Sequence, residues 1–288
     1  MGRTAGRQAR PNAKGRAAAV TDRHMLYEAA VQSVDYELDF FQRVFRTRRG
    51  RTFHRLREDF CGTGLLACHW VARSPSHQAW GVDIHRPTLE WGEREHASRL
   101  GSARPRLTLL CEDVRTVRAP QTDVVVALNY SYSVFKDRSV LRDYFRKVCA
   151  SLAPDGLFFL DAFGGTEATN QGSEDRKVKP SVRPDGTKVP GFTYVWEQAS
   201  FNPIDHHIRC YIHFRFPDGR KMERAFRYDW RFWTLPELQE ILLEAGFRSA
   251  EVYLEGWDDE ADEADGIYRR RKRFEEMAGW VAYVVGLR

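Results

Sequence analysis

Residues 57–64 read Arg-Glu-Asp-Phe-Cys-Gly-Thr-Gly. Two carboxylates and an aromatic ring stand directly before a Gly-x-Gly turn, and an apolar segment with helical spacing follows from about Leu65 to Ala72. A strand, a glycine turn and a helix together make a ligand site, because the turn brings backbone N–H groups and a helix N-terminus to the carboxyl edge of a sheet. Acids at that edge offset positive charge in a ligand held with little water around it. About twenty residues further on, Trp80-Gly81-Val82-Asp83-Ile84-His85 ends a second apolar run on Asp83, where an acid accepts hydrogen bonds from ribose hydroxyls. A third run ends on Glu112-Asp113-Val114, and Asp123–Asn129 leads into Asn129-Tyr130-Ser131-Tyr132. The turn lacks the Gly-Lys-Ser/Thr of a Walker loop, and Leu65, Leu66 and Ala67 leave no third glycine for a dinucleotide fingerprint.

These residues need a frame. From Tyr27 to Arg46, Tyr27, Val31, Val34, Leu38, Phe41 and Phe45 recur every three or four positions, which predicts an amphipathic helix closed by Gly50. Beyond residue 52 short apolar runs alternate with helical segments: strands at Phe53–Glu58, Gln78–Asp83, Arg106–Cys111, Asp123–Asn129 and Leu157–Phe163, with helices between them. Runs apolar on both faces imply a parallel sheet covered by helices, an α/β, doubly wound, Rossmann-like fold. The first strand is the weakest, since Phe-His-Arg-Leu-Arg-Glu is poor in aliphatic residues and is placed by the turn after it. Residues 166–190 read as a polar loop. The period then changes to two, at Phe192/Tyr194/Trp196, Ile208/Cys210/Ile212/Phe214 and Phe226/Tyr228/Trp230/Phe232, which predicts an inserted three-stranded antiparallel meander within about 166–233. Thr234 and Glu237 form a capping box for a helix that Gly246 stops. Two strands, Ser249–Leu254 and Gly279–Gly286, finish the chain, with a loop of seven acids (255–265) and Arg-Arg-Arg-Lys-Arg (269–273) between them.

With 288 residues, 42% apolar and 13% aromatic, the chain can bury a substantial core. No run approaches the roughly 18 apolar residues of a membrane helix, and the first thirty residues carry no secretory apolar core, so the sequence reads as cytoplasmic with no membrane partner. Five scattered cysteines without a C-x-x-C pair suggest neither a disulfide framework nor a metal site. His206, His207 and His213 could supply a base, but alternation sends His206 and His207 to opposite faces, against a metal. The net charge of +5 sits in residues 1–23, where six basic side chains face one acid. Such a tail reads as a disordered arm, with organelle targeting or nucleic-acid contact as the sharper alternatives. The domains expected are therefore a basic tail (1–23), a helical cap (24–50) and a catalytic domain (51–288).

Glu-Asp-Phe-Cys-Gly-Thr-Gly resembles motif I of the class I S-adenosylmethionine-dependent methyltransferases, an acid and an apolar residue followed by Gly-Cys-Gly-Thr-Gly. On that pattern Glu58 takes the acid position, Asp59 the apolar one and Phe60 the first glycine, while Cys61, Gly62, Thr63 and Gly64 match. The resemblance covers roughly 50–165 and 234–288, and it implies a seven-stranded, mostly parallel sheet with an antiparallel last strand. It implies S-adenosylmethionine as cofactor. Either Glu58 or Asp59 faces its cationic methionine end, and Arg57 pairs either its carboxylate or the adjacent acids. Cys61, Gly62 and Gly64 line the close approach, Asp83 and Ile84 the ribose side, Asp113 and the Val114 N–H the adenine. Glycine is needed only where φ is positive or a Cβ has no room, so Phe60 predicts ordinary backbone geometry at the first position.

Methyl transfer is an in-line displacement that depends on positioning. Asn129, Tyr130 and Tyr132, beyond the fourth strand, are the candidates lining the transfer site. The layout, with its aromatic meander, resembles small-molecule methyltransferases that use this position for an acceptor lid or a dimer surface, so a small-molecule acceptor with a nitrogen or oxygen nucleophile is expected, and a homodimer is compatible. The rivals are an RNA or protein methyltransferase using the basic tail, and a binding protein that retains the cofactor without turnover. A nicotinamide oxidoreductase fits less well, for want of the third glycine.

Overall fold

The computed structural model describes residues 22–183, 186–258 and 263–288. The predicted basic tail lies outside these residues except at its last two positions. The helix expected over 27–46 is two helices, α1 (Arg23–Val31) and α2 (Val34–Arg49), with Gln32 extended between them. Asp22 caps α1 through the His24 and Met25 N–H groups. Asp35 and Glu37 in its first turn favour a fresh N-terminus at α2, and Gly50 ends it at φ 68°.

After α2 the chain alternates: β1 (Arg55–Asp59), α3 (Leu65–Arg73), β2 (Gln78–Val82), α4 (Arg86–Glu95), β3 (Leu107–Leu110), β4 (Thr122–Ala127), α5 (Arg138–Ser151) and β5 (Leu152–Gly164). Next come β6 (Gly172–Val178), the two-residue ladder of β7 (Ser181–Val182) with β8 (Lys188–Val189), β9 (Phe192–Phe201), β10 (His207–Arg215) and β11 (Lys221–Arg231). The chain closes with α6 (Leu235–Glu244), β12 (Ser249–Asp258), β13 (Glu263–Arg271) and β14 (Trp280–Leu287).

The principal sheet runs β13-β12-β14-β5-β4-β1-β2-β3. Strands β1 to β5 pair in parallel, and the last strand, β14, runs antiparallel between β5 and β12. The order reverses between β1 and β4. That switch point opens a crevice at the carboxyl ends of the strands, where α/β sheets bind ligands. The sheet has eight strands where seven were expected, because part of the predicted 255–273 loop is β13. Pairing with β12 buries Tyr268 and sets Arg270 against Glu251 at 3.3 Å, an arrangement that a run of charges conceals.

Each face of this sheet carries its own core. Phe40, Phe41 and Phe45 of α2 and Trp70 of α3 cover one face, and Leu141, Phe145 and Val148 of α5 with Leu238, Ile241 and Leu242 of α6 cover the other. Each such side chain contributes roughly 1.5–3 kcal/mol by leaving water. The α6 capping box forms as predicted, between Thr234 and Glu237. A second sheet runs β11-β10-β9-β6, one strand more than the meander expected from the sequence. Strand β6 is exposed along nearly its whole length and so shows no apolar alternation. By their contacts the described residues form two units, one within 33–173, 197–211 and 227–288, the other within 22–32, 174–196 and 212–226. In the smaller unit Phe192 packs on Phe214 and Phe216, at 5.5 and 6.4 Å, and Tyr27 on Phe226 at 5.0 Å. No helix among the described residues is long and apolar enough to cross a membrane.

The charged strand β1 is buried. Arg57 donates to both oxygens of Asp59, at 2.8 and 3.0 Å, and to Ser151 Oγ at 2.8 Å, while Tyr144 Oη donates to Asp59 at 2.9 Å. The pair is closed from water on the α5 side. A buried ion pair is weak support in itself, but removing one partner strands the other. Asp59→Ala is therefore expected to cost about 3–5 kcal/mol in urea unfolding, whereas the double replacement Arg57→Met with Asp59→Leu should recover much of that loss.

Candidate active site

The loop after β1 is built on left-handed backbone. Phe60, Gly62 and Gly64 have φ of 57°, 54° and 69°. The expectation of ordinary geometry at Phe60 is thus corrected: it adopts the conformation that the family's glycine would take, at a cost of about 1–2 kcal/mol. Its ring packs at 5.8 Å from both Phe135 and Tyr144, and the Cys61 N–H bonds Val82 O at 3.0 Å. Those contacts offset the strain. A Cβ at Gly62 would meet nothing nearer than Thr88 Cγ2 at 4.0 Å, so this turn leaves open space beside its backbone. Cys61 is buried, and burial raises its thiol well above the usual range, so it packs as an uncharged side chain.

The two acids before the loop have different employments. Asp59, 0% exposed, is consumed by Arg57 and Tyr144. Arg57 thus pairs an adjacent acid, one of the two roles expected of it, and both oxygens of Asp59 are engaged within the strand's own surroundings. Glu58 points to the opposite face, because successive strand residues alternate. It accepts from the Ala67 N–H at 3.1 Å. Gly64 caps α3 without a side chain, so Glu58 supplies the acceptor that this helix start lacks. Burial, with Glu37 and Asp83 nearby, pushes its carboxyl up to about 8.

At the end of β2, Asp83 accepts from Gly62 N–H at 2.9 Å and His85 N–H at 2.8 Å, joining the first loop to the second strand. Ile84 beside it is 71% exposed, free to cover a ligand. Asp113 is held by its own turn: Arg115 pairs with it at 2.6 Å and its N–H donates at 2.8 Å, and this guanidinium keeps the carboxyl below its usual range. The Val114 side chain is buried.

Beyond β4, Asn129 and Tyr130 occupy left-handed backbone in succession, with φ of 55° and 56°. Asp161 of β5 holds them, accepting from the Asn129 N–H at 2.7 Å and the Tyr130 N–H at 2.9 Å. Burial lifts this carboxyl to about 7 although the two N–H bonds oppose it. The Tyr130 ring meets Phe163 at 4.9 Å and Trp230 at 6.3 Å. Tyr132 is a different case: it is buried against Phe145 and its hydroxyl donates to Asp161 O at 2.8 Å, so it packs and does not line the site.

Two acids escaped the sequence reading. Asp161 interrupts the apolar run Leu157–Phe163, and a charge in a strand buried on both faces was the available signal. Glu37 sits three residues after Val34 and four before Phe41, on the buried stripe of α2. The residue is half-buried, and desolvation, with Asp161 close, pushes its carboxyl up to about 8. Phe159, two residues before Asp161, packs on Phe41 at 4.7 Å, and Tyr283 stands opposite Asp161 in the β5–β14 register. Glu37, Glu58 and Asp161 therefore converge on one face of the sheet, at its carboxyl edge. No lysine or arginine among the described residues pairs with any of the three.

Comparison with known proteins matches this geometry. Residues 60–156 match the family model described as a methyltransferase domain. No curated protein sequence matches the chain. Similar solved structures include an S-adenosylmethionine-dependent methyltransferase from Clostridium acetobutylicum, at 17% identity and TM-score 0.62 over 91% of this chain and 96% of that one. CalS10, an amino pentose methyltransferase from Micromonospora echinaspora, is 18% identical with TM-score 0.61 over 90% and 95%. The sugar N-methyltransferase KedS8 from Streptoalloteichus is 17% identical with TM-score 0.62 over 100% and 99%. At these identities the structures establish the fold. The match over 60–156 is to a methyltransferase domain, and the fold is one shared with solved S-adenosylmethionine-dependent methyltransferases.

The raised carboxyls make binding pH-dependent. A cationic ligand favours the ionised acids, so binding at pH 7 should release protons from Glu37, Glu58 and Asp161. Cofactor affinity should accordingly rise with pH up to about 8, to which the two glutamates are raised, and calorimetry in buffers of different ionisation enthalpy would count the protons.

Proposed function

We propose that the protein transfers a methyl group from S-adenosylmethionine to a small or medium-sized acceptor at a nitrogen or oxygen atom. One observation carries this reading: the Gly62 N–H is tied to Asp83 while Glu58, under the start of α3, faces the same crevice. Glu58 offsets the cationic methionine end, Asp83 and Ile84 take the ribose side, and the 113–114 turn the adenine side. Gly62 and Gly64 allow the loop backbone to approach closely, and Cys61 fills the space behind it. Arg57 and Asp59 position the strand and touch no ligand. Bound there, the cofactor supplies an electrophilic methyl carbon on its sulfonium.

On the acceptor side, Asn129 and Tyr130 are fixed by Asp161, and the Tyr130 ring forms a wall with Phe163 and Trp230. The names of CalS10 and KedS8, which act on sugars, support a small polar acceptor. The protein would work in the cytoplasm, alone or as a homodimer. The basic tail, on which the RNA or protein alternative leaned, lies outside the described residues except at Asp22 and Arg23.

Titration calorimetry with S-adenosylhomocysteine, S-adenosylmethionine and NADH tests the reading. The two adenosyl ligands should bind and NADH should not. Asp83→Ala should weaken both by about 1–3 kcal/mol, since it removes a ligand contact and frees the Gly62 and His85 N–H groups. Equal affinity in that variant would remove Asp83 from the site.

A further inference from the structure

A strip of aromatic rings lies beyond β4 and β5, outside the two cores that cover the sheet. Phe163 stands two residues past Asp161 on β5, and so on the same face. Its ring meets Tyr130 at 4.9 Å and Phe232 at 5.3 Å. Phe232 meets His206 at 6.2 Å, and His206 meets Phe201 at 5.7 Å. All of these residues belong to the larger unit. The end of β11 presents its rings to this strip because the intervening side chains are engaged elsewhere. Asp229 pairs with Lys136 at 2.7 Å, Arg231 donates to Lys136 O at 3.1 Å and to Glu237 at 3.0 Å, and Trp233 donates to Phe135 O at 3.2 Å. Alternation then leaves Trp230 and Phe232 toward Tyr130 and Phe163. Tyr130, Phe163, Phe201 and Phe232 are only half-buried, so their rings form a surface.

His206 stands toward the far end of the strip, in the turn between β9 and β10. It takes left-handed backbone, φ 58°, which residues with a Cβ seldom adopt. Backbone bonds hold it there: its N–H donates to Asn202 O at 2.8 Å, and its carbonyl accepts from the Phe232 N–H at 2.9 Å. The imidazole Nδ1 is buried and has no hydrogen-bond partner among the described residues. Buried polar atoms in native proteins nearly always have one. Strained backbone and an orphaned polar atom thus coincide on one residue, on an aromatic surface that begins at the left-handed Tyr130. Apolar walls with a few placed polar atoms are what ligand sites are made of.

We propose that the acceptor carries an aromatic ring, that this ring lies along Phe163 and Phe232, and that His206 hydrogen-bonds a polar group on it. The inference rests on the methyl-transfer reading above and names the substrate class of that same site. Offset or edge-on contact between rings is favourable beyond the area it buries. The charged side chains of this stretch, Asp229 and Arg231, are paired away from the strip, so a neutral ring does not strip them of water. The imidazole torsion is soft, and a ring seated on Phe232 brings its polar group to Nδ1 with little rearrangement. His206 then sets specificity at the end of the acceptor remote from the methyl group, while Asn129 and Tyr130 stand at the transfer end.

Three amines separate the ring from its polar group. Tyramine carries a hydroxylated aromatic ring, phenethylamine the same ring without the hydroxyl, and 2-cyclohexylethylamine a saturated ring. Calorimetry on the full chain saturated with S-adenosylhomocysteine would rank them for the wild type, His206→Phe and Phe163→Leu. The wild type should bind tyramine roughly three- to tenfold tighter than phenethylamine, the scale of one neutral hydrogen bond. Phenethylamine should exceed 2-cyclohexylethylamine by a similar factor. His206→Phe keeps a ring and should erase the first preference while retaining the second, and Phe163→Leu should reduce the second. Unchanged S-adenosylhomocysteine affinity shows that each variant is folded. The proposal is overturned if the saturated ring binds as tightly as the aromatic ones, if the first preference survives His206→Phe or the second survives Phe163→Leu intact, or if none of the amines binds the loaded wild type. Glucosamine binding in preference to all three would also overturn it, in favour of a saturated ring. Failure of S-adenosylhomocysteine to bind even the wild type would instead remove the methyl-transfer reading, and this inference with it.

Discussion

Carboxylate oxygens at the carboxyl ends of three strands hold the loops of the site. Glu58 on β1 takes the Ala67 N–H, Asp83 on β2 takes those of Gly62 and His85, and Asp161 on β5 takes those of Asn129 and Tyr130. The loops after β1 and β4 turn through left-handed backbone, at Phe60, Asn129 and Tyr130 without the help of glycine. Such conformations persist only where the surroundings over-determine them. A charged acceptor bonding one or two N–H groups is strong enough to do so. The acids expected to meet a ligand are therefore also the scaffold that shapes its site.

This double use explains why burial is tolerated. An ionised carboxylate in the core costs several kcal/mol unless it is compensated. The protein meets that cost in two ways on the two faces of β1. Toward α5, Asp59 has a full set of partners in Arg57 and Tyr144 and does nothing else. Toward α2 and α3, Glu58 has one backbone donor and acid neighbours, and the balance moves its proton affinity up to about 8. A one-residue alternation in a strand separates a structural ion pair from an acid that has no cationic partner among the described residues.

The aromatic residues complete the arrangement. Phe40 and Phe41 bind α2 to Phe159 and Tyr283, which fixes where Glu37 stands relative to the strand ends. Phe60 replaces a glycine yet is anchored by Phe135 and Tyr144, so the loop keeps its shape with a ring as ballast. Packing of this kind positions charged groups more firmly than a surface loop could, since core side chains have few alternative rotamers.

The alternation of apolar runs and helical stripes, the Gly62 and Gly64 turn, Asp83 at a strand end and the Thr234 capping box were legible because each is a local pattern with one structural meaning. From them came the parallel sheet, its class and the strand edge on which the candidate site is placed. Local patterns are silent where partners are distant in the chain. That Asp59 and not Glu58 is enclosed depended on Tyr144 and Arg57 closing around it, and Tyr132 was drawn into the core by its burial against Phe145. Strand β13 was hidden in a run of arginines because its stability comes from pairing with β12, and β6 because neither of its faces is buried. The left-handed turn at Phe60, and the meeting of Glu37 with Asp161 across more than a hundred residues of sequence, were decided by the tertiary structure alone, because burial and charge proximity exist only once the sheet and α2 have packed.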